Sequence, residues 1–94
     1  MIHVMIRHKV KDYDEWKKFF DNNAVNRRSG GSMGGHIFRS NSDPNEVLIL
    51  MEMESLEKAE MFILSEPLKK TMKEAGVVGK PDIVFLDKGE RFKQ

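Results

Sequence analysis

The segment Glu46-Val47-Leu48-Ile49-Leu50-Met51-Glu52-Met53 constrains this chain more than any other. Successive side chains of a strand point to opposite faces of its sheet. Val47, Ile49, Met51 and Met53 share one face, and Leu48 and Leu50 lie on the other with Glu52. A strand of an antiparallel sheet that is apolar on both faces is covered on both. The aliphatic run Val47 to Met51 is far below the ~20 residues that a membrane span requires, so a membrane is not the cover. The chain must supply one cover itself and find the other elsewhere.

The rest of the sequence supplies the first cover. Ile2, Val4 and Ile6 recur at every second position, which predicts a first strand. Asp12 and Glu15 form a capping box that starts a helix, and Tyr13, Trp16, Phe19 and Phe20 fall on one helical face. The helix is expected to run on through Ala24-Val25 to Arg28 and to stop at Ser29-Gly30-Gly31-Ser32. A second strand is predicted from about Met33 to Ser40, a turn at Asn41-Ser42-Asp43-Pro44-Asn45, and the third strand at Glu46 to Met53. Ser55 caps a helix over Leu56 to Leu64, and Ser65-Glu66-Pro67 restarts one that ends at Ala75-Gly76. Pro81 blocks further helix, and Ile83-Val84-Phe85-Leu86 forms a fourth strand. The order β-α-β-β-α-β is an α+β ferredoxin-like sandwich, one domain over residues 1–94, with the helices on one sheet face.

The other sheet face is where a ligand site and a partner are expected. With Ile2, Val4 and Ile6 under the helices, His3, Met5 and Arg7 take the open face, as do Leu48, Leu50 and Glu52 of the third strand. Pairing Arg39 with Val47 sets Phe38 against Leu48 and His36 against Leu50, on that same face; a register slip of one would reverse them. An apolar floor of Met5, Phe38, Leu48 and Leu50 below His3, Arg7, His36 and Glu52 has the composition of a small-molecule site. Left bare, it is also a patch of the size that marks an interaction surface. A homodimer joined through the open faces follows as the expected second cover.

Composition narrows the function classes. The 94 residues carry 16 Lys+Arg against 15 Asp+Glu, which gives no bulk attraction to nucleic acid or anionic membrane. Neither the first nor the third strand holds the aromatic residues on which an RNA-recognition sheet stacks bases. No cysteine is present, so thiolate metal sites and cysteine nucleophiles are excluded. His3, His8 and His36 show no ligand spacing, and no metal is expected. The opening Met1-Ile2-His3-Val4 lacks the layout of a signal peptide, which makes a cytoplasmic location the expectation. Glycines 30, 31, 34 and 35 lack the Gly-Lys-Ser/Thr of a phosphate loop and read as a flexible turn. Arg27-Arg28 beside them suits either an anion contact or the cation preference of a helix end.

Several stretches together resemble the dimeric α/β-barrel superfamily, which includes antibiotic-biosynthesis monooxygenase-like proteins. They are Val10-Lys11-Asp12-Tyr13-Asp14-Glu15-Trp16-Lys17, Phe38 to Val47, Glu52-Met53-Glu54-Ser55-Leu56-Glu57-Lys58-Ala59 and Ala75 to Pro81. The resemblance implies subunits paired sheet to sheet, each enclosing a cavity. Its members include cofactor-independent monooxygenases, haem-degrading enzymes, lactone isomerases and polyketide cyclases, and fold alone does not choose among them. The haem-degrading members use a cavity Asn, a cavity Trp and a helical His. Here the only tryptophan, Trp16, sits on the core stripe, neither helix holds a histidine, and the first strand has no asparagine. No cofactor is therefore expected. Acid–base chemistry on a small apolar or oxygenated metabolite, isomerase- or cyclase-like, is the enzyme reading; a non-catalytic dimeric binder is the alternative. Trp16, Phe20, Ile49 and Phe62 are expected in the core with no ligand role.

Overall fold

A computed structural model describes residues 1–94. Strands β1 (Ile2–Val10), β2 (Ser32–Arg39), β3 (Glu46–Met53) and β4 (Val77–Leu86) form one antiparallel sheet in the order β2-β3-β1-β4. Helices α1 (Tyr13–Asn22), α2 (Ala24–Ser29), α3 (Leu56–Ile63) and α4 (Glu66–Glu74) fill the two crossovers. This is the ferredoxin-like α+β arrangement, and no helix is long and apolar enough to cross a membrane.

Capping sets the helix starts. The Asp12 carboxylate accepts from the backbone N–H of Asp14 at 2.9 Å and of Glu15 at 3.3 Å. Ser55 accepts from the N–H of Lys58, and Ser65 from that of Leu68. Each satisfies a donor that the first turn leaves without a partner. The first helix is not continuous as expected. Asn23 leaves helical geometry at φ −94°, ψ 9°, and its side-chain oxygen accepts from the Asn26 amide at 2.7 Å. α1 therefore ends at Asn22 and α2 begins at Ala24. Phe19 is 41% exposed, while Trp16 is the residue of α1 that is buried.

The sheet departs from expectation at both edges. β4 begins at Val77, well before Ile83, and continues through Gly79 at φ +74° and Pro81. The register against β1 shifts between Arg7 and Lys9, and an edge strand with a bulge is where proline and a positive-φ glycine are tolerated. Gly34 and Gly35 lie inside β2 rather than in a turn. The register with β3 shifts between Ser32 and Gly35, and a Cβ at Gly35 would stand 2.0 Å from the Leu50 carbonyl oxygen. Only glycine permits that approach.

Cross-strand partners share a face, and the register of β1 with β3 pairs Val4 with Met51, Ile6 with Ile49 and His8 with Val47. These residues are buried under the helices, where Trp16, Ala59, Ile63 and Ala75 complete the core. His8 is the polar exception among them, 5% exposed.

Candidate functional site between helices and sheet

Parity along β1 puts His8 in the row of Val4, Ile6 and Val10, so its imidazole enters the apolar layer. Neither Nδ1 nor Nε2 has a hydrogen-bond partner. The ring meets the edge of Trp16 at 5.6 Å between centroids, nearly perpendicular at 79°. A buried polar group without a partner costs about 1–3 kcal/mol, and native interiors rarely keep one without a reason. Burial also lowers the imidazole from its usual 6.5 to about 4, because the charged form loses its water. The side chain is therefore a neutral imidazole at pH 7.

His8 lines a cavity between α1, α4 and the sheet, walled by Trp16, Phe20, Ile49, Phe62 and Met72. The free volume of this inner chamber is ≈ 50 Å³. Phe20, Arg27, Ile49 and Met51 also border a second space of ≈ 210 Å³, whose rim is Ser32, Gly34, Gly35 and His36 of β2. The bulge in β2 opens this outer chamber. An apolar cavity of about 150 Å³ accepts benzene, so the inner chamber is too small for a ring and the outer one is large enough. Trp16, Phe20, Ile49 and Phe62 are thus core residues as expected, but each also walls the cavity.

Arg27 stands where the chambers meet. Its guanidinium carbon lies 3.6 Å from the centre of the Phe20 ring, and Nη1 donates to the Phe20 carbonyl. Burial pulls its pKa down and the nearby Asp21 opposes that shift. Arg27 of α2 thus covers Phe20 of α1 across the break at Asn23. Asn23 and Thr71 add polar groups to the inner wall, Thr71 with its hydroxyl donating to the Pro67 carbonyl at 3.0 Å.

The residues singled out in the sequence occupy the opposite face. The β2–β3 register pairs Phe38 with Leu48 and His36 with Leu50, and β1–β3 pairs His3 with Glu52, Met5 with Leu50 and Arg7 with Leu48. His3, Met5, Arg7, His36, Phe38, Leu48, Leu50 and Glu52 accordingly share one face. Val84 and Leu86 of β4 join them through their pairing with Met5 and His3. Arg7 does not engage Glu52: it lies 3.7 Å from Glu46 and 3.4 Å from Asp82. His36 stacks on Phe38 at 6.0 Å between centroids. No group of three or more His, Asp or Glu side chains is arranged to hold a metal ion. Sequence reasoning missed His8 and placed Arg27 only as an alternative; a histidine in a core-parity slot of β1 was the available signal.

No family model matches the chain, and no curated protein matches it. Solved structures do. SnoaB, a cofactor-independent oxygenase from Streptomyces nogalater, superimposes with a TM-score of 0.76 at 9% identity over 99% of this chain and 97% of its own. A protein provisionally assigned as an antibiotic biosynthesis monooxygenase from Caulobacter crescentus gives 0.72 at 21% identity, over 95% of this chain and 90% of that one. A conserved protein from Methanosarcina mazei gives 0.72 at 15% identity, over 94% and 92%. The fold is that of the antibiotic biosynthesis monooxygenase-like proteins, as the sequence resemblance implied.

Proposed function

We propose that this protein takes a compact oxygenated ring between its helices and sheet and moves a proton on it with His8, without a cofactor. The carrying observation is an imidazole 5% exposed with both nitrogens unpartnered within the protein, in a mostly apolar cavity. A neutral imidazole can accept a proton from an enol, a phenol or an acidic carbon. Negative charge that develops on the reacting edge of the ring as the proton leaves stabilises the imidazolium, and a positioned imidazole acts as a general base. Returning the proton at a neighbouring atom would isomerise the ring. A protein that only binds such a ring is the competing form of this reading.

A second reading keeps the ligand on the open face, among His3, Arg7, His36 and Glu52 above Met5, Phe38, Leu48 and Leu50. It is favoured by the register, which gathers all of them on one surface. Imidazole NMR separates the two, because the chain has 3 histidines. On addition of compact phenols and quinones, the His8 signals are expected to shift. Shifts confined to His3 and His36 would favour the open face, and no shift at any histidine would overturn small-molecule binding.

The same proposal joins two copies through their open faces. Phe38 is 52% exposed and Val84 42%, beside the half-buried Met5, Leu48 and Leu50. At ~25 cal/mol per Å² of apolar surface, a face of about 800 Å² per partner supplies enough to exceed association costs. Light scattering at micromolar concentration is expected to give twice the 10.9 kDa chain mass, and Leu50→Glu to return it to one copy. A wild-type mass of one chain would refute the pairing.

A further inference from the structure

The outer chamber points to the charge of the ligand. We propose that Arg27 makes the cavity selective for a compact ring bearing one anionic oxygen group, held with that group on the guanidinium and its far edge toward His8. The inference rests on the helix–sheet cavity being the binding site.

Arg27 is a permanent cation, half-buried, that no carboxylate reaches within ion-pairing distance. Asp21, the nearest acidic influence on it, is engaged by Lys17 at 2.6 Å. The only hydrogen bond that the Arg27 side chain donates is to the Phe20 carbonyl, which leaves most of its fork of donors free. No Asp or Glu lines either chamber. The walls therefore offer one positive charge, the His8 imidazole, a few neutral polar groups and apolar surface. A half-buried cation of this kind is complemented by a carboxylate or an acidic ring oxygen, through charge-assisted hydrogen bonds.

The chamber sizes limit the rest of the ligand. A single ring fits the ≈ 210 Å³ outer space, and only a substituent at its edge fits the ≈ 50 Å³ inner one. Phe20 already offers its face to the guanidinium, so an anion must approach from the β2 side. There a Cβ at Gly34 would meet nothing within 4 Å, so that approach is open. Gly34 and Gly35, two of the glycines that read as a flexible turn, border that approach.

Benzoate and benzamide are near-isosteric and differ in charge, and the fluorescence of Trp16, the single tryptophan, reports on the inner wall. At pH 7.5 benzoate is expected to bind about tenfold or more tightly than benzamide. Arg27→Met should abolish the preference and Arg27→Lys retain part of it. 4-Nitrophenolate, titrated alongside, distinguishes an acidic ring oxygen from a carboxylate as the preferred group. Equal affinity of wild type for benzoate and benzamide would overturn the anion selectivity and leave the cavity reading standing. Failure of benzoate, benzamide and 4-nitrophenolate alike to perturb Trp16 would overturn both. Should Arg27→Met not fold, the wild-type comparison and Arg27→Lys still decide.

Discussion

Trp16→Ala is expected to cost about 3–5 kcal/mol of stability, the range for removing a large buried aromatic side chain. For a chain of this size each kcal/mol shifts the melting temperature by roughly 4–8 °C, so the drop should be of the order of 15–30 °C in a thermal scan. The reason lies in what the indole touches. It is 3% exposed and meets three rings, His8 at 5.6 Å, Tyr13 at 5.7 Å and Phe20 at 5.1 Å between centroids. Through them it joins β1 to both ends of α1. Its removal would also merge its own space with the inner chamber. Indole at millimolar concentration should then raise the melting temperature of the variant and leave wild type unchanged, because a ligand that binds only the folded form stabilises it. A melting temperature within a few degrees of wild type, with no response to indole, would show that the tryptophan is not a core residue.

The fold was legible where one local signal and one packing requirement agreed. Glu46 to Met53 is a strand in the sequence and in the structure, because aliphatic residues at both parities leave a chain few alternatives. Ser55 and Ser65 cap helices as read, since a hydroxyl before an apolar-periodic run has one favourable use. The hairpin register was an assumption in the sequence, where a slip of one stayed open, and the structure has Arg39 opposite Val47. The misreadings occur where tertiary structure overrides local pattern. Asn23 leaves helical geometry, at φ −94° and ψ 9°, inside a stretch that reads as one helix. Gly34, Gly35, Gly79 and Pro81 look like breakers, yet they sit in edge strands at register shifts, where such residues relieve crowding rather than end a strand.

The site was less legible, for a physical reason. Parity gathered His3, Arg7, His36 and Glu52 on one face because alternation is a property of a single strand, readable residue by residue. A cavity between layers depends on how helices lie over the sheet. Nothing in the sequence states that Arg27 lies over Phe20, or that the inner volume is smaller than a ring. His8 was nonetheless visible as an anomaly, a titratable residue in the slot between Ile6 and Val10. Its environment had to be built before its lack of partners could be seen.

His8→Leu is expected to separate stability from activity. Leucine is of comparable size and has no polar atom, so the variant loses the cost of two unpartnered nitrogens and should be more stable at pH 7 by about 1–2 kcal/mol. Acid sensitivity should change with it. In wild type the folded imidazole titrates at about 4 and the unfolded one at 6.5. Below pH 6.5 the unfolded chain takes up a proton that the folded chain refuses, so stability falls as pH drops toward 4 and then levels. At 1.36 kcal/mol per unit of difference the loss is about 3 kcal/mol. Asp43, whose carboxylate is held below 3.8 by the backbone N–H of Asn45 and by Lys9, contributes only at lower pH, and Arg27, the other charged group on the cavity wall, does not titrate in this window. Urea denaturation at pH 7.5, 5.5 and 4.5 should therefore show a slope for wild type that His8→Leu flattens. Equal slopes would mean that His8 is not buried as described. With a turned-over ring in hand, the same variant should lose about 10²–10⁴-fold in rate, the usual contribution of a positioned acid–base group, while still binding the ring through Arg27 and the apolar walls. Undiminished turnover in a stable, flat-sloped variant would leave His8 buried but remove it from the chemistry. Gain of stability at the cost of turnover is what distinguishes a residue kept for reaction from one kept for packing.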